Sequence, residues 1–142
     1  MYGHAAWFPL TILGLAGCSA PASTASQPGS AGYSTAQTGA RIYNGNCIAC
    51  HQPDARGVPG VYPSLVGSPV ILGDQRELAL WVVKGQRPPS LPPGRYPTMM
   101  LEFDWMKPGD AAALFTYLRS SFGNAAPPVD PAAVAQALGE QP

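Results

Sequence analysis

The chain has 142 residues, a formal net charge of zero and 11% charged residues, so it offers no basic surface for nucleic acid and no net field to steer a partner of either sign. Its length suits one domain of ordinary size. The eight basic and eight acidic residues all lie at or after Arg41, and 17 prolines with 16 glycines point to a loop-rich fold.

The N-terminal segment opens with an apolar run from Ala5 to Gly17, about as long as the hydrophobic region of an export signal and short of the ~18 residues a membrane-spanning helix needs. It ends in Leu15-Ala16-Gly17-Cys18. Small residues before a cysteine at the end of such a run resemble the lipobox of bacterial lipoproteins, although no Lys or Arg precedes the run. That resemblance implies a signal peptide over residues 1–17, cleavage before Cys18, and a lipid on its thiol. The chain would then be anchored in the periplasm to the inner or outer membrane. An uncleaved anchor, disfavoured by Pro9, and a buried core segment are the competing readings.

Residues 18–37 are Ser, Ala, Thr, Pro and Gly with Tyr33 as the one large side chain, a composition that buries too little surface to fold. They read as a flexible tether with a reach of roughly 25 Å. Order is expected from Thr38, as N-cap of a short helix Gly39 to Asn46 that places Gly39 and Tyr43 on one face.

Next comes Cys47-Ile48-Ala49-Cys50-His51. In C-x-x-C-H the two thiols add across the vinyl groups of a haem and the following imidazole ligates its iron. Three alternatives compete. A chance match is expected roughly once in a thousand such chains; a thioredoxin-type redox pair would need a βαβ pattern that the flanks lack; a zinc site would need two further ligands, with only His4 and Cys18 available. With Cys18 assigned to lipid and Cys47 and Cys50 to haem, no thiol remains for a disulfide.

The wider pattern, Gly39, Tyr43, Cys47, Cys50 and His51, resembles the N-terminal helix of class I cytochromes c. The resemblance implies an all-α fold of three to four short helices around one covalently bound haem c, with the domain spanning residues 38–125. It implies that Gly39 permits close crossing by a later helix, and that Leu114 and Tyr117 on that helix meet Gly39 and Tyr43. It further assigns Pro63, twelve residues past His51, a backbone carbonyl that accepts from the axial imidazole and raises its basicity.

Asp74 with Glu77 forms a capping box for a helix to Lys84, which Gly85 ends. Leu78, Trp81 and Val82 make its apolar stripe, with Trp81 read as core or haem wall. The five prolines between Gln86 and Thr98 then forbid helix. Arg87 and Arg95 in that stretch are candidate propionate contacts, because guanidinium suits bidentate carboxylate binding, and solvated loop arginines are the competing reading.

The second axial ligand is expected from Met99-Met100. Phe103 and Trp105 resemble landmarks of the small cytochrome subunits of membrane-bound alcohol and sugar-acid dehydrogenases, a register that selects Met100; counting back from the last helix without a gap selects Met99. Met106 reads as core. The last helix opens at Pro108 with Asp110 in its first turn, carries Ala111, Leu114, Phe115, Leu118 and Phe122 at helical spacing, and stops at Gly123. Residues 126–142 form a tail with a short helix Pro131 to Leu138 capped by Asp130, free to dock on its own domain or on a partner.

No general base, nucleophile or substrate pocket is indicated, so the expected function is single-electron transfer between redox complexes, as a shuttle or as a subunit of a dehydrogenase, reductase or oxidase, and not catalysis by the chain alone. A haem catalyst or gas sensor with an open sixth position is the alternative, should neither methionine reach iron.

Overall fold

The computed structural model describes residues 1, 3, 30–91 and 94–139. Cys18, His4 and the whole apolar run lie outside them. Among the described residues the fold is all-α, with one isolated bridge between Val58 and Tyr62 and no helix long and apolar enough to cross a membrane. Six helices appear: α1 (Ser30–Ile42), α2 (Ile48–His51), α3 (Pro69–Leu72), α4 (Gln75–Lys84), α5 (Pro108–Ser120) and α6 (Pro131–Leu138), with a π-helical turn Tyr43–Cys47 between the first two. Two of them, α2 and α3, are single turns of four residues, which is why the total exceeds the three or four expected.

The first helix departs most from expectation. It starts at Ser30, inside the stretch read as tether, and Thr38 is not its cap but a residue within it, its Oγ1 accepting from Arg41 at 3.3 Å. Ala is the best helix former and Ser and Gln are tolerated, so a composition unable to build a core of its own still extends a helix that packs against α5. The expected end at Asn46 is also replaced: Ile48 N–H donates five residues back to the Tyr43 carbonyl, the wide turn that re-aims everything after it.

Helix α4 is capped at Asp74, whose Oδ1 accepts from the backbone N–H of Arg76 (2.8 Å) and Glu77 (3.0 Å). Only that half of the capping box is made, because the Glu77 carboxylate instead accepts from Ser90 Oγ at 2.9 Å. Gly85 ends the helix in the left-handed region at φ 66°. Leu78, Ala79, Val82 and Val83 face the core, Trp81 packs beside them half-buried, and the proline-rich stretch returns to this helix through Phe103 N–H to Val82 O at 3.0 Å.

Helix α5 buries Ala111 to Phe115 and Leu118. It ends at Ser120, before Phe122, so Phe122 is not on the helical stripe. Instead Phe122 takes φ 58°, a strained value for an aromatic residue, and its ring lies 5.2 Å from that of Tyr43 and 5.5 Å from that of Tyr117. Met106 is 2% exposed and belongs to the core.

The tail docks on its own domain. Asp130 accepts from Ala132 N–H (2.9 Å), Gly139 closes the C-terminus at φ 77°, and Val134, 1% exposed, packs where α6 meets α4 and α5. Two polar anchors hold the connection: Thr116 Oγ1 accepts from Val129 N–H at 2.9 Å, and buried Arg119 donates to the carbonyls of Pro127 (2.8 Å), Ile71 (2.8 Å) and Gly73 (3.0 Å).

Candidate haem attachment site

The site begins where α1 crosses α5. A Cβ on Gly39 would fall on the backbone oxygen of Ala113 and 2.6 Å from Tyr117 Cβ, so only glycine allows this approach. The nearest atoms come from Ala113 and Tyr117, with Leu114 buried alongside in the core. One turn later Tyr43, wholly buried, stacks at a tilt on Tyr117 with centroids 5.9 Å apart. Its hydroxyl donates to the carbonyl of Gln52, the residue after His51. Burial pushes the phenol up to about 12, the neighbouring Cys47 adding to the effect, so it stays a neutral donor.

The π-turn delivers Cys47, 8% exposed, and α2 carries Cys50 and His51. Both cysteines are free thiols. Burial, then the proximity of Cys50, pushes the Cys47 thiol up to about 11. This is the opposite of the depressed value that makes the first cysteine of a thioredoxin pair reactive, and it weighs against that reading. Among the described residues no three His, Cys, Asp or Glu side chains gather to hold a bare metal ion.

His51 is 7% exposed, and its Nδ1 donates to the Pro63 carbonyl at 2.9 Å. Burial lowers its pKa and the bond to Pro63 partly offsets that. The outcome is a neutral imidazole with its proton fixed on Nδ1 and the Nε2 lone pair free to bind a metal. Two unpaired thiols beside an oriented neutral imidazole fit a haem c attached through both sulfurs.

The loop that brings Pro63 back to His51 is held from several sides. Gly57 N–H donates to the His51 carbonyl (2.9 Å), Leu65 N–H to the Ala55 carbonyl (2.8 Å), and Val58 and Tyr62 exchange backbone bonds at 3.0 and 2.9 Å. Buried Asn124, just past α5, accepts from Gly67 N–H (2.8 Å) and donates to the carbonyls of Leu65 (3.2 Å) and Leu118 (2.8 Å). Sequence reasoning missed the Asn124 and Arg119 clamps, since each joins segments far apart in the chain and no local pattern marks them.

The remaining sequence-derived residues separate. Met100 is half-buried and packs against the core, whereas Met99 is 85% exposed. Arg95 lines a cleft with Arg56, Tyr62, Ser64 and Tyr96, and Arg87 is exposed and not part of its lining. The two arginines are therefore not brought together at one cleft.

A crossed pair of helices around a C-x-x-C-H segment, with a proline carbonyl on the histidine, defines a c-type cytochrome. The cytochrome c family profile matches residues 36–122, and the chain belongs to that family. It therefore carries covalently bound haem c, and its function is electron transfer. Over 91 residues the chain is 31% identical to the cytochrome c subunit of the quinone alcohol dehydrogenase of Gluconobacter oxydans (strain 621H), covering 63% of this chain and 19% of that one. It is also 29% identical over 92 residues to cytochrome c-552 of Thermus thermophilus, covering 61% of this chain and 70% of the relative. The corresponding figures for the cytochrome c-552 of a second Thermus thermophilus strain are 30% identity, 61% and 62%. The chain thus spans about a fifth of the dehydrogenase subunit's length.

Proposed function

We propose that this chain is a membrane-tethered periplasmic carrier of single electrons, with one haem c bound through Cys47 and Cys50 and ligated by His51 and Met100. The observation that carries this reading is the neutral His51 imidazole, held by Pro63 and placed directly after two free thiols. When bound, haem c supplies a reversible one-electron couple. The chain supplies the rest: His51 is oriented and made a better donor by Pro63, and the packed core keeps reorganisation small.

Of the two methionines, Met100 is the stronger choice because it is the one already packed against the interior. Met99 stays the alternative. A thioether as sixth ligand raises the potential relative to a second imidazole. Lipid on Cys18 is the proposed anchor, to the inner or outer membrane. The proposed partners are the redox complexes on either side of it, and similarity to a dehydrogenase cytochrome subunit supports a docked role beside an enzyme more than free shuttling.

Potentiometric titration of the matured protein tests the carrier function: one haem per chain and a reversible one-electron wave are expected. A chain with no covalent haem, or with turnover of a substrate by itself, would contradict it. Replacing Cys18 by Ser is expected to release the protein from membranes into the soluble periplasmic fraction.

A further inference from the structure

The Pro63 carbonyl that accepts from His51 is itself seated against a glycine. Gly57 adopts φ 67°, and its N–H donates to the His51 carbonyl at 2.9 Å. A Cβ at this position would fall 2.5 Å from Pro63 O, 2.7 Å from Pro63 C and on top of Tyr62 O. The three atoms it would strike are the carbonyl bonded to the imidazole and its immediate backbone neighbours. Backbone cannot swing aside as a flexible side chain does, and here the Val58–Tyr62 bridge and the bond from Leu65 to Ala55 fix the loop on both sides.

From this geometry we infer that Gly57 is a positioning residue for the axial histidine: the absence of its side chain sets the distance between Pro63 O and His51 Nδ1, and through that bond the donor strength of the imidazole. The inference rests on His51 being an iron ligand. Gly57 thus holds two ends of one small cage, the main chain of His51 through its N–H and the acceptor of the His51 ring through its bare Cα. Displacing the carbonyl weakens the Nδ1–H···O bond, makes the imidazole a poorer donor and favours the reduced iron.

A control lies three residues on. Gly60 has an equally left-handed φ of 77°, yet its Cβ direction is open. Gly57→Ala and Gly60→Ala therefore impose similar backbone strain, and only the first displaces the Pro63 carbonyl. Gly57→Asn is the second variant, since Asn tolerates positive φ better than Ala and still adds the Cβ.

The experiment measures reduction potentials of the matured wild type and these variants, together with exchange of the His51 Nδ1 proton and the Gly57 amide proton by NMR in the wild type. Both Gly57 variants should show a raised potential and Gly60→Ala the wild-type value. In the wild type the two protons should be protected to a similar degree, because they open together. An unchanged potential in the Gly57 variants, or an equal shift in Gly60→Ala, would overturn the inference. If the Gly57 variants fail to mature, the wild-type exchange decides: a freely exchanging Gly57 amide beside a protected Nδ1 proton would overturn it. A wild-type spectrum without an imidazole ligand would overturn the assignment of His51 as well, which separates that failure from the others.

Discussion

Tyr117 Cβ stands 2.6 Å from the point that a Cβ on Gly39 would occupy, so α1 and α5 cross with no room for a methyl group between them. Alanine is intrinsically favoured over glycine within a helix by about 1 kcal/mol, but overlap with the Ala113 backbone and Tyr117 cannot be relieved by a rotamer change. Gly39→Ala is expected to destabilise the protein by about 2 kcal/mol. Gly45→Ala, where nothing lies within 4 Å, should be stabilising by about 0.5–1 kcal/mol. Urea unfolding midpoints of the two variants should move in opposite directions.

Arg119 is 4% exposed and faces three carbonyls from two separate segments. Arg119→Met keeps much of the packing and removes all the donors, so the expected loss is about 2–4 kcal/mol. Arg119→Lys should recover part of it, because an ammonium donates but cannot fork. Amide exchange is expected to quicken in α6 before it does in α1, since the bond to Pro127 ties the tail to α5.

Tyr43 sets an alkaline limit. Its phenol is pushed up to about 12 in the folded protein from an ordinary value of 10.0. Below pH 10 it is neutral whether the chain is folded or not and has no effect on pH dependence. Above pH 10 the unfolded chain releases this proton while the folded one retains it, so stability falls by up to about 1.4 kcal/mol per pH unit until the pH nears 12. Unfolding at pH 9 and pH 11 should show the loss, and Tyr43→Phe, though less stable at pH 9 for want of the bond to Gln52, should have a shallower slope.

How much could be read from the chain depends on how local each determinant is. The attachment chemistry lies in five consecutive residues, and Gly39, Pro63, the Asp74 cap and the Asp130 cap are each marked by residue type at a fixed offset. The family profile and the all-α architecture agree with that reading. The start of α1 was hidden because Ser, Ala and Thr composition resembles a linker until α5 gives it a surface. The π-turn was hidden because it differs from a helix by one residue of register. Asn124, Arg119 and Gly57 act across the fold, on backbone groups that carry no sequence signature, and Phe122 leaves the helix for a contact its spacing does not announce.

The central claim is an iron held in the interior of this chain by His51 and Met100. It is tested most directly by the optical spectrum of the matured protein, oxidised and then reduced under carbon monoxide. The wild type is expected to show the weak charge-transfer band of methionine ligation and to take up no carbon monoxide. Met100→Ala should lose the band and bind the gas, and Met99→Ala should behave as wild type. A colourless protein, or a wild type that binds carbon monoxide as fast as Met100→Ala, would contradict the account.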